Sequence, residues 1–229
     1  MNLKFSWKWL VVIALVIAIS IGGFAYYKWV NRIIPEELIK ETLAKSLQAK
    51  NYRYDVCFEL VVNGSSRVLS DVKGEKAGDN FHFKGKMLKQ EVEVYQVDET
   101  IFMKDTLSGR WMERRGTNVL DNEYFLTEIN PLSSFEFTRI SNLQYHGLVE
   151  EEDGSFYLLE FIPTVNNKML NKFWKDFTYK IWVDKRSRRI SKAEIVAAHK
   201  SDSQDKMMMR IKLYDYNKDI EITSPKEEE

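Results

Sequence analysis

The chain has one cysteine, Cys57, few glycines and prolines, and no excess of either charge. A single cysteine excludes a disulfide within the chain and a cysteine-rich metal site. Ten glycines and four prolines are too few for a disordered or low-complexity protein. Lysine plus arginine equals aspartate plus glutamate at 34, which argues against a nucleic-acid-binding domain, because such domains are usually strongly basic.

Motifs for catalysis and metal binding are also missing from the sequence. His82, His146 and His199 are scattered over separate strand patterns without metal-ligand spacing, and no nucleophile elbow, zincin, P-loop or dinucleotide motif occurs. Cys57 lies within an alternating strand pattern without a nearby base, which favours a half-buried structural residue over a reactive thiol. The sequence therefore predicts a protein that is not an enzyme and has no cofactor or metal. The acidic run 150–153 is interpreted as a solvated turn, with a divalent-cation site as the alternative.

A long uncharged run opens the chain. Trp9–Tyr27 contains no charged residue and is long enough as a helix to cross a hydrocarbon core of about 30 Å. It predicts a short cytoplasmic tail (1–8), a transmembrane anchor (9–29) and a single-pass location in the plasma membrane, with the large domain outside the cytoplasm. The alternative is a cleaved signal peptide with the small residues of 18–20 at its cleavage site.

The remaining sequence alternates between two periods. Residues 33–50 predict a helix with Ile39, Leu43 and Leu47 along one side, and from Asn51 the period changes to two, which predicts a series of antiparallel strands. Residues 163–177 predict a later helix with Val165, Met169, Phe173 and Trp174 on one side. The domain is expected to cover 33–222, followed by an acidic tail (223–229).

These elements predict an α+β fold class. An N-terminal transmembrane helix is followed by one curved antiparallel sheet, an incomplete barrel whose concave face is covered by helices. A sheet of this length must cover its apolar face, and the two helices and the irregular segment 119–137 are the candidates for that cover.

The order of several segments resembles a known family. The leading helix ending in AKNYRYDVCFEL, the segments YQVDETIFMKD and RWMERR, the hairpin IWVDKRSRRISKAEI and the closing MRIKLYDYNKDIEITSP are similar to the bacterial LolA-like superfamily, nearest to its LppX/LprG-type lipoproteins. The resemblance implies a half-barrel that binds acyl chains or lipidated molecules in an apolar cavity. The chain departs from the lipoprotein branch in lacking a lipobox cysteine.

Two functional hypotheses follow. In the first, an extracytoplasmic domain binds a lipid or other hydrophobic ligand in a cavity lined by apolar side chains, namely Phe58, Leu60, Phe81, Phe83, Phe161, Met169, Phe173, Trp174 and Ile181, with Tyr124 and Phe125 as a lid. In the second, the same residues fill a closed core and the domain is a structural or regulatory protein of the cell envelope that acts through protein contacts. A core and an apolar pocket use the same residue types, so the sequence leaves both open, and it identifies no protein partner.

A basic turn in the closing hairpin is a further candidate. Lys185, Arg186, Arg188 and Arg189 are predicted to contact anionic lipid head groups, since each basic residue near such a surface contributes about 1 kcal/mol. The alternative is an ordinary polar turn.

Overall fold

The computed structural model describes residues 13–17, 20, 22, 32–116 and 129–225. Most of the predicted anchor (9–29), the predicted lid residues Tyr124 and Phe125 and most of the predicted tail (223–229) lie outside these residues. No helix within the described residues is both long enough and apolar enough to cross a membrane.

One antiparallel sheet makes up most of the described chain. The elements, in chain order, are helix α1 (Pro35–Leu47), strands β1 (Asn51–Val62), β2 (Ser65–Ala77), β3 (Asn80–Met87), β4 (Gln90–Val97), β5 (Thr100–Lys104) and β6 (Trp111–Arg115), a 3-10 helix (Pro131–Phe135), strands β7 (Phe137–Glu151) and β8 (Gly154–Val165), helix α2 (Lys168–Phe173), and strands β9 (Trp174–Asp184), β10 (Ile190–His199) and β11 (Lys206–Tyr214).

The strand order is β6-β5-β4-β3-β2-β1-β11-β10-β9-β8-β7. Two meanders of consecutive hairpins are thus joined by the pairing of the first strand with the last. Val56 faces Ile211 across this central pair and Tyr54 faces Leu213. Because the side chains alternate along each strand, this register collects the apolar residues of every central strand on one face of the sheet.

The predicted fold class is wrong. The described chain is mostly a large curved antiparallel sheet with few helices, its described residues include no helix that could span a membrane, and of the predicted helical cover only α1 is a full-length helix. The predicted helix 163–177 shrinks to the short α2, because β8 continues to Val165 and β9 begins at Trp174. The aromatic residues that looked like one side of a helix continue instead into a strand, where aromatic side chains pack well.

The concave side of the sheet, called the inner face, carries the core. It includes Tyr54, Val56, Tyr179, Ile181, Ile195 and Met209, all with 1% exposure or less. Helix α1 contacts β7, β10 and the 3-10 helix. Its Ser46 hydroxyl accepts a hydrogen bond of 3.0 Å from the backbone N–H of Ile190.

The convex side, called the outer face, carries a row in which acidic and basic side chains alternate from strand to strand. Neighbouring groups approach to between 3.0 and 3.5 Å, in the order Asp215, Arg53, Glu75, His82, Glu93 and Lys104. Exposed pairs of this kind contribute little individually, but a connected row fixes the strand register on a face that has no core.

Substitution of Glu93 tests this row. Burial alone would raise the pKa of Glu93, but the hydrogen bond and charge of Lys104, joined by His82, outweigh it and hold that pKa below the ordinary value of 4.5. A depressed carboxylate pKa stabilises the fold above the unfolded-state pKa, and the contribution is lost as the pH falls through the folded-state pKa. We expect urea midpoints to fall more steeply below about pH 4.5 for the natural protein than for Glu93→Gln. Parallel pH profiles for the two proteins would contradict this.

Candidate functional site

Four of the predicted lining residues are fully buried on the inner face. Phe81, Phe83, Phe161 and Ile181 have 1% exposure or less and belong to one apolar cluster. The rings of Phe81 and Phe83 stack at 6.1 Å between centroids, and Phe161 stacks on Tyr179 at 5.7 Å. All four thus lie in the packed part of the interior, and their role in lining a ligand cavity stays a prediction.

Phe58 and Leu60 have a different environment. They lie near the end of β1, pack against the same cluster and are only partly buried. Their partners across the strand pair, Met209 and Met207, are buried. Side chains of the inner face are therefore fully buried along the middle of the sheet and partly exposed towards the end of β1.

The aromatic residues of the predicted second helix do not form one apolar side. Phe173 is 43% exposed, with the Lys172 ammonium 5.4 Å from its ring centroid. Trp174 is half-buried and meets the His199 ring edge-on at 5.2 Å. The side chain of Met169 lies outside the described part of the structure.

Three tyrosines of the inner face hold the segment 129–135 over the sheet. The Tyr52 hydroxyl donates to Asn130 Oδ1 at 2.7 Å, the Tyr54 hydroxyl to the Ile129 carbonyl at 3.4 Å, and the Tyr179 hydroxyl to the Ser134 carbonyl at 2.8 Å. Burial raises the pKa of Tyr52 and of Tyr179 above the ordinary value, which favours the protonated hydroxyls that donate these bonds. This segment and α1 cover the half of the inner face formed by β7–β11 and β1.

The open end is the end of the sheet that carries the β1–β2, β3–β4 and β5–β6 turns. Apolar side chains of the inner face are solvent-accessible there. Met103 on β5 is 43% exposed and Met112, its partner on β6, is 56% exposed. Met87 on β3 and Val92 on β4 are partly buried against the core. These four residues and Phe58 and Leu60 are called the open-end patch.

Met87, Val92, Met103 and Met112 were not predicted as site residues. The segment TIFMK is apolar on both of its faces, so its alternation does not show which side points inward. The useful signal is the residue type, because methionine is unbranched and adapts to ligands of variable shape.

Three buried polar atoms have no hydrogen-bond partner among the described residues: Gln96 Oε1, Thr42 Oγ1 and Ser134 Oγ. Gln96 pairs with Phe81 on the inner face, Thr42 lies on α1 and Ser134 lies in the 3-10 helix. A buried polar group left without a hydrogen bond costs about 1–3 kcal/mol, so these three positions are less stably packed than the rest of the core.

The basic turn is partly used by the protein itself. The Arg188 guanidinium lies 4.6 Å from the centroid of the Tyr157 ring, and Arg189 Nε donates to the Lys45 carbonyl at 3.2 Å. Lys185 and Arg186 are exposed. Head-group contact by this turn stays a prediction, with two of its four cations already packed against the domain.

Three open cavities lined by described residues lie away from the predicted lining residues. The largest, of about 730 Å³, lies on the outer face among the charged side chains of β2–β5. One of about 450 Å³ separates α1 from the first half of β7, and one of about 320 Å³ lies beside Cys57 and Arg210. None of these three is lined by a residue of the predicted ligand site.

The other side chains that were considered for metal binding or catalysis make structural contacts. Within the described residues there is no group of three histidine, cysteine or acidic side chains that could hold a metal ion. The acidic turn pairs with Lys192, whose ammonium lies 2.5 Å from Glu151 and 2.7 Å from Asp153. Burial raises the pKa of the Cys57 thiol despite the nearby Arg210, so this thiol is not activated.

Comparison with known proteins supports the fold. No protein-family model matches the chain, and no curated protein matches it. Among solved structures, lipoprotein LppX from Mycobacterium tuberculosis is 15% identical with a TM-score of 0.52, over 82% of this chain and 98% of that one. LprF from Mycobacterium bovis is 11% identical with a TM-score of 0.58, over 83% and 96%. At these identities the likeness concerns the fold alone, and at that level it confirms the predicted resemblance.

Proposed function

We propose that this chain, which has the fold of LppX and LprF, is a non-enzymatic, extracytoplasmic domain that holds a lipid or another hydrophobic ligand against the inner face of its sheet. The observation that carries the proposal is the open-end patch. Its side chains are continuous with the buried apolar core and yet are left accessible to solvent. Burying such a surface under an apolar ligand contributes about 25 cal/mol per Å².

The geometry of the patch suits a flexible chain. Met103 and Met112 face each other across β5 and β6, and Val94, the inner-face neighbour of Met103 on β4, leads to Phe83 on β3. A ligand lying on the methionines would therefore point its tail towards the buried phenylalanines.

The second candidate function is a closed domain that acts through protein contacts. The near-complete burial of Phe81, Phe83 and Phe161 favours it, because a packed interior leaves little room for a ligand. The two candidates differ in what the open-end patch contacts, which is an acyl chain in the first case and another protein in the second.

Photo-crosslinking of the full-length protein distinguishes them. A fatty acid with a diazirine near its tail is added to the protein in a mild detergent, irradiated, and the labelled peptides are identified by mass spectrometry. We expect labelling of peptides that contain Met87, Val92, Met103 or Met112, and its suppression by excess unlabelled fatty acid. Labelling confined to outer-face peptides, or labelling that no competitor reduces, would contradict the proposal.

Native mass spectrometry of the same preparation gives an independent measurement. Protein extracted from its own cell envelope is expected to retain an adduct with the mass of a lipid. A protein free of adducts that also resists crosslinking would favour the closed domain.

A further inference from the structure

Two turns at the open end present a leucine to solvent. Leu88 in the β3–β4 turn is 64% exposed, and Leu107 in the β5–β6 turn is 97% exposed. Single exposed apolar residues are common on protein surfaces and need no explanation by themselves. Three observations separate these two leucines from that background.

The first observation is the backbone of the β3–β4 turn. Leu88 has φ of 51° and Lys89 has φ of 70°. Two-residue turns with both central residues at positive φ favour asparagine, aspartate and glycine, and a leucine there is strained. Folding alone would therefore select another residue at position 88, and a leucine that neither suits the turn nor enters the core points to a role in binding.

The second observation is the rigidity of the β5–β6 turn. Asp105 Oδ1 accepts the backbone N–H of Leu107 at 2.9 Å, and Asp105 Oδ2 accepts the Ser108 hydroxyl at 2.7 Å. The backbone of Asp105 also bonds Gly109 at 2.8 Å and Arg110 at 2.9 Å. These bonds fix the backbone of the turn at Leu107, so less backbone conformational entropy is lost when a partner buries the leucine side chain.

The third observation is the charge beside each leucine. Lys89 follows Leu88 and Arg110 closes the other turn, both are exposed, and neither has an ionic partner in the described part of the chain. The acid within these turns, Asp105, uses its carboxylate to hold the turn. Asp105 keeps its negative charge in the same turn as Arg110, whereas the two-residue β3–β4 turn has no acid, so the excess positive charge at the tips lies at Lys89.

We propose that the β3–β4 and β5–β6 tips dock on an anionic phospholipid bilayer. Leu88 and Leu107 enter the boundary between head groups and acyl chains, and Lys89 and Arg110 bind the phosphates. The two hairpins are neighbours in the sheet, so their tips lie about 10 Å apart, which suits an extended surface better than a single pocket. Docking in this way turns the open-end patch towards the bilayer, but it does not require that a ligand be held there.

The test uses environment-sensitive probes on the full-length protein bound to vesicles. Gln90→Cys and Thr106→Cys place a fluorophore beside each leucine, and Glu152→Cys places one in the β7–β8 turn at the opposite end, all in a Cys57→Ser background. With vesicles that contain phosphatidylglycerol, we expect nitroxide-labelled lipids to quench the probes at 90 and 106, while the probe at 152 stays accessible to aqueous iodide. The probes report on each turn separately, and the Leu88→Asn variant separates docking by the tips from attachment through another part of the chain.

Leu88→Asn separates docking from folding. Asparagine tolerates positive φ, so this variant is expected to have a higher urea midpoint than the natural protein. The ratio of docked to undocked tips should nevertheless fall about tenfold, the effect of withdrawing one leucine from apolar surroundings. Lys89→Gln should lower that ratio about fivefold.

Several outcomes would overturn the proposal. These are equal iodide access at positions 90, 106 and 152, equal quenching in vesicles without anionic lipid, or unchanged docking of Leu88→Asn. Quenching at 152 alone would assign docking to the basic turn, which lies beside it. Protection of positions 90 and 106 only when envelope proteins are present would make the tips a protein interface instead.

Discussion

Replacing Gly74 with alanine is expected to destabilise the domain by about 3 kcal/mol, the upper part of the range for overpacked cores. Gly74 lies on β2 opposite Tyr54, and a Cβ atom there would lie 2.3 Å from Tyr54 Cζ and 2.4 Å from its hydroxyl oxygen. The Tyr54 ring is fully buried and its hydroxyl donates to the Ile129 carbonyl. The ring therefore cannot move away from the added methyl group without losing its packing and this hydrogen bond. The measurement is the free energy of unfolding in urea.

A second substitution shows whether the clash itself is responsible. Tyr54→Val removes the ring, so Gly74→Ala should cost much less in that background, and the two changes should be strongly non-additive. Lys73→Val is a matched control on the same strand, because the Lys73 side chain is 71% exposed and its replacement should change stability little. Additive losses from Gly74→Ala and Tyr54→Val would show that the tyrosine does not occupy the space beside this glycine.

The tyrosines of β1 show which contacts can be predicted from the sequence and which cannot. The alternation of Tyr52, Tyr54 and Val56 predicts which side chains of β1 point inward, and the structure agrees. It does not predict that the tyrosine hydroxyls hold the segment at 129–135, because those partners are more than seventy residues away in the chain. Long-range polar contacts leave no periodic signal in a sequence.

The helices of this fold are harder to predict from the sequence than its strands. In the 163–177 segment the apolar spacing fits one side of a helix, and Asn167 does cap a helix, since its side chain accepts the backbone N–H of Leu170 at 3.0 Å. The helix ends after Phe173 because Trp174 pairs with His199 and continues the sheet. Pairing with a neighbouring strand supplies backbone hydrogen bonds that no local pattern reveals, and here it outweighs the helical spacing.

The sequence pattern identified the buried residues of the inner face, and also Phe58 and Leu60 of the open-end patch, but not Val92 or the three accessible methionines of that patch. Phe81, Phe83, Phe161 and Ile181 were identified by clear alternation, which selects the residues that the fold buries most completely. The two most accessible methionines, Met103 and Met112, are on β5 and β6, and strands of five residues provide little periodicity. A ligand site on such a sheet is therefore easiest to miss where the sheet is least regular.

A double substitution in the open-end patch is expected to have the largest effect on ligand binding. Met103→Asp/Met112→Asp places two carboxylates opposite each other on the inner face, where an acyl chain would otherwise lie. Bringing a hydrocarbon chain against them would desolvate both charges, so affinity for a fluorescent fatty acid should fall by far more than about tenfold. Because these side chains are 43% and 56% exposed, the fold should tolerate the change.

Leu148→Asp is the matched control for this variant. Leu148 on β7 is also 43% exposed, but it lies near the β7–β8 turn, at the end of the sheet opposite the patch. The Leu148→Asp variant should bind the fatty acid as the natural protein does and should have a similar urea midpoint. If the double variant folds normally and still binds with unchanged affinity, the open-end patch is not the ligand site. Loss of binding in both variants would instead point to a general effect of added negative charge.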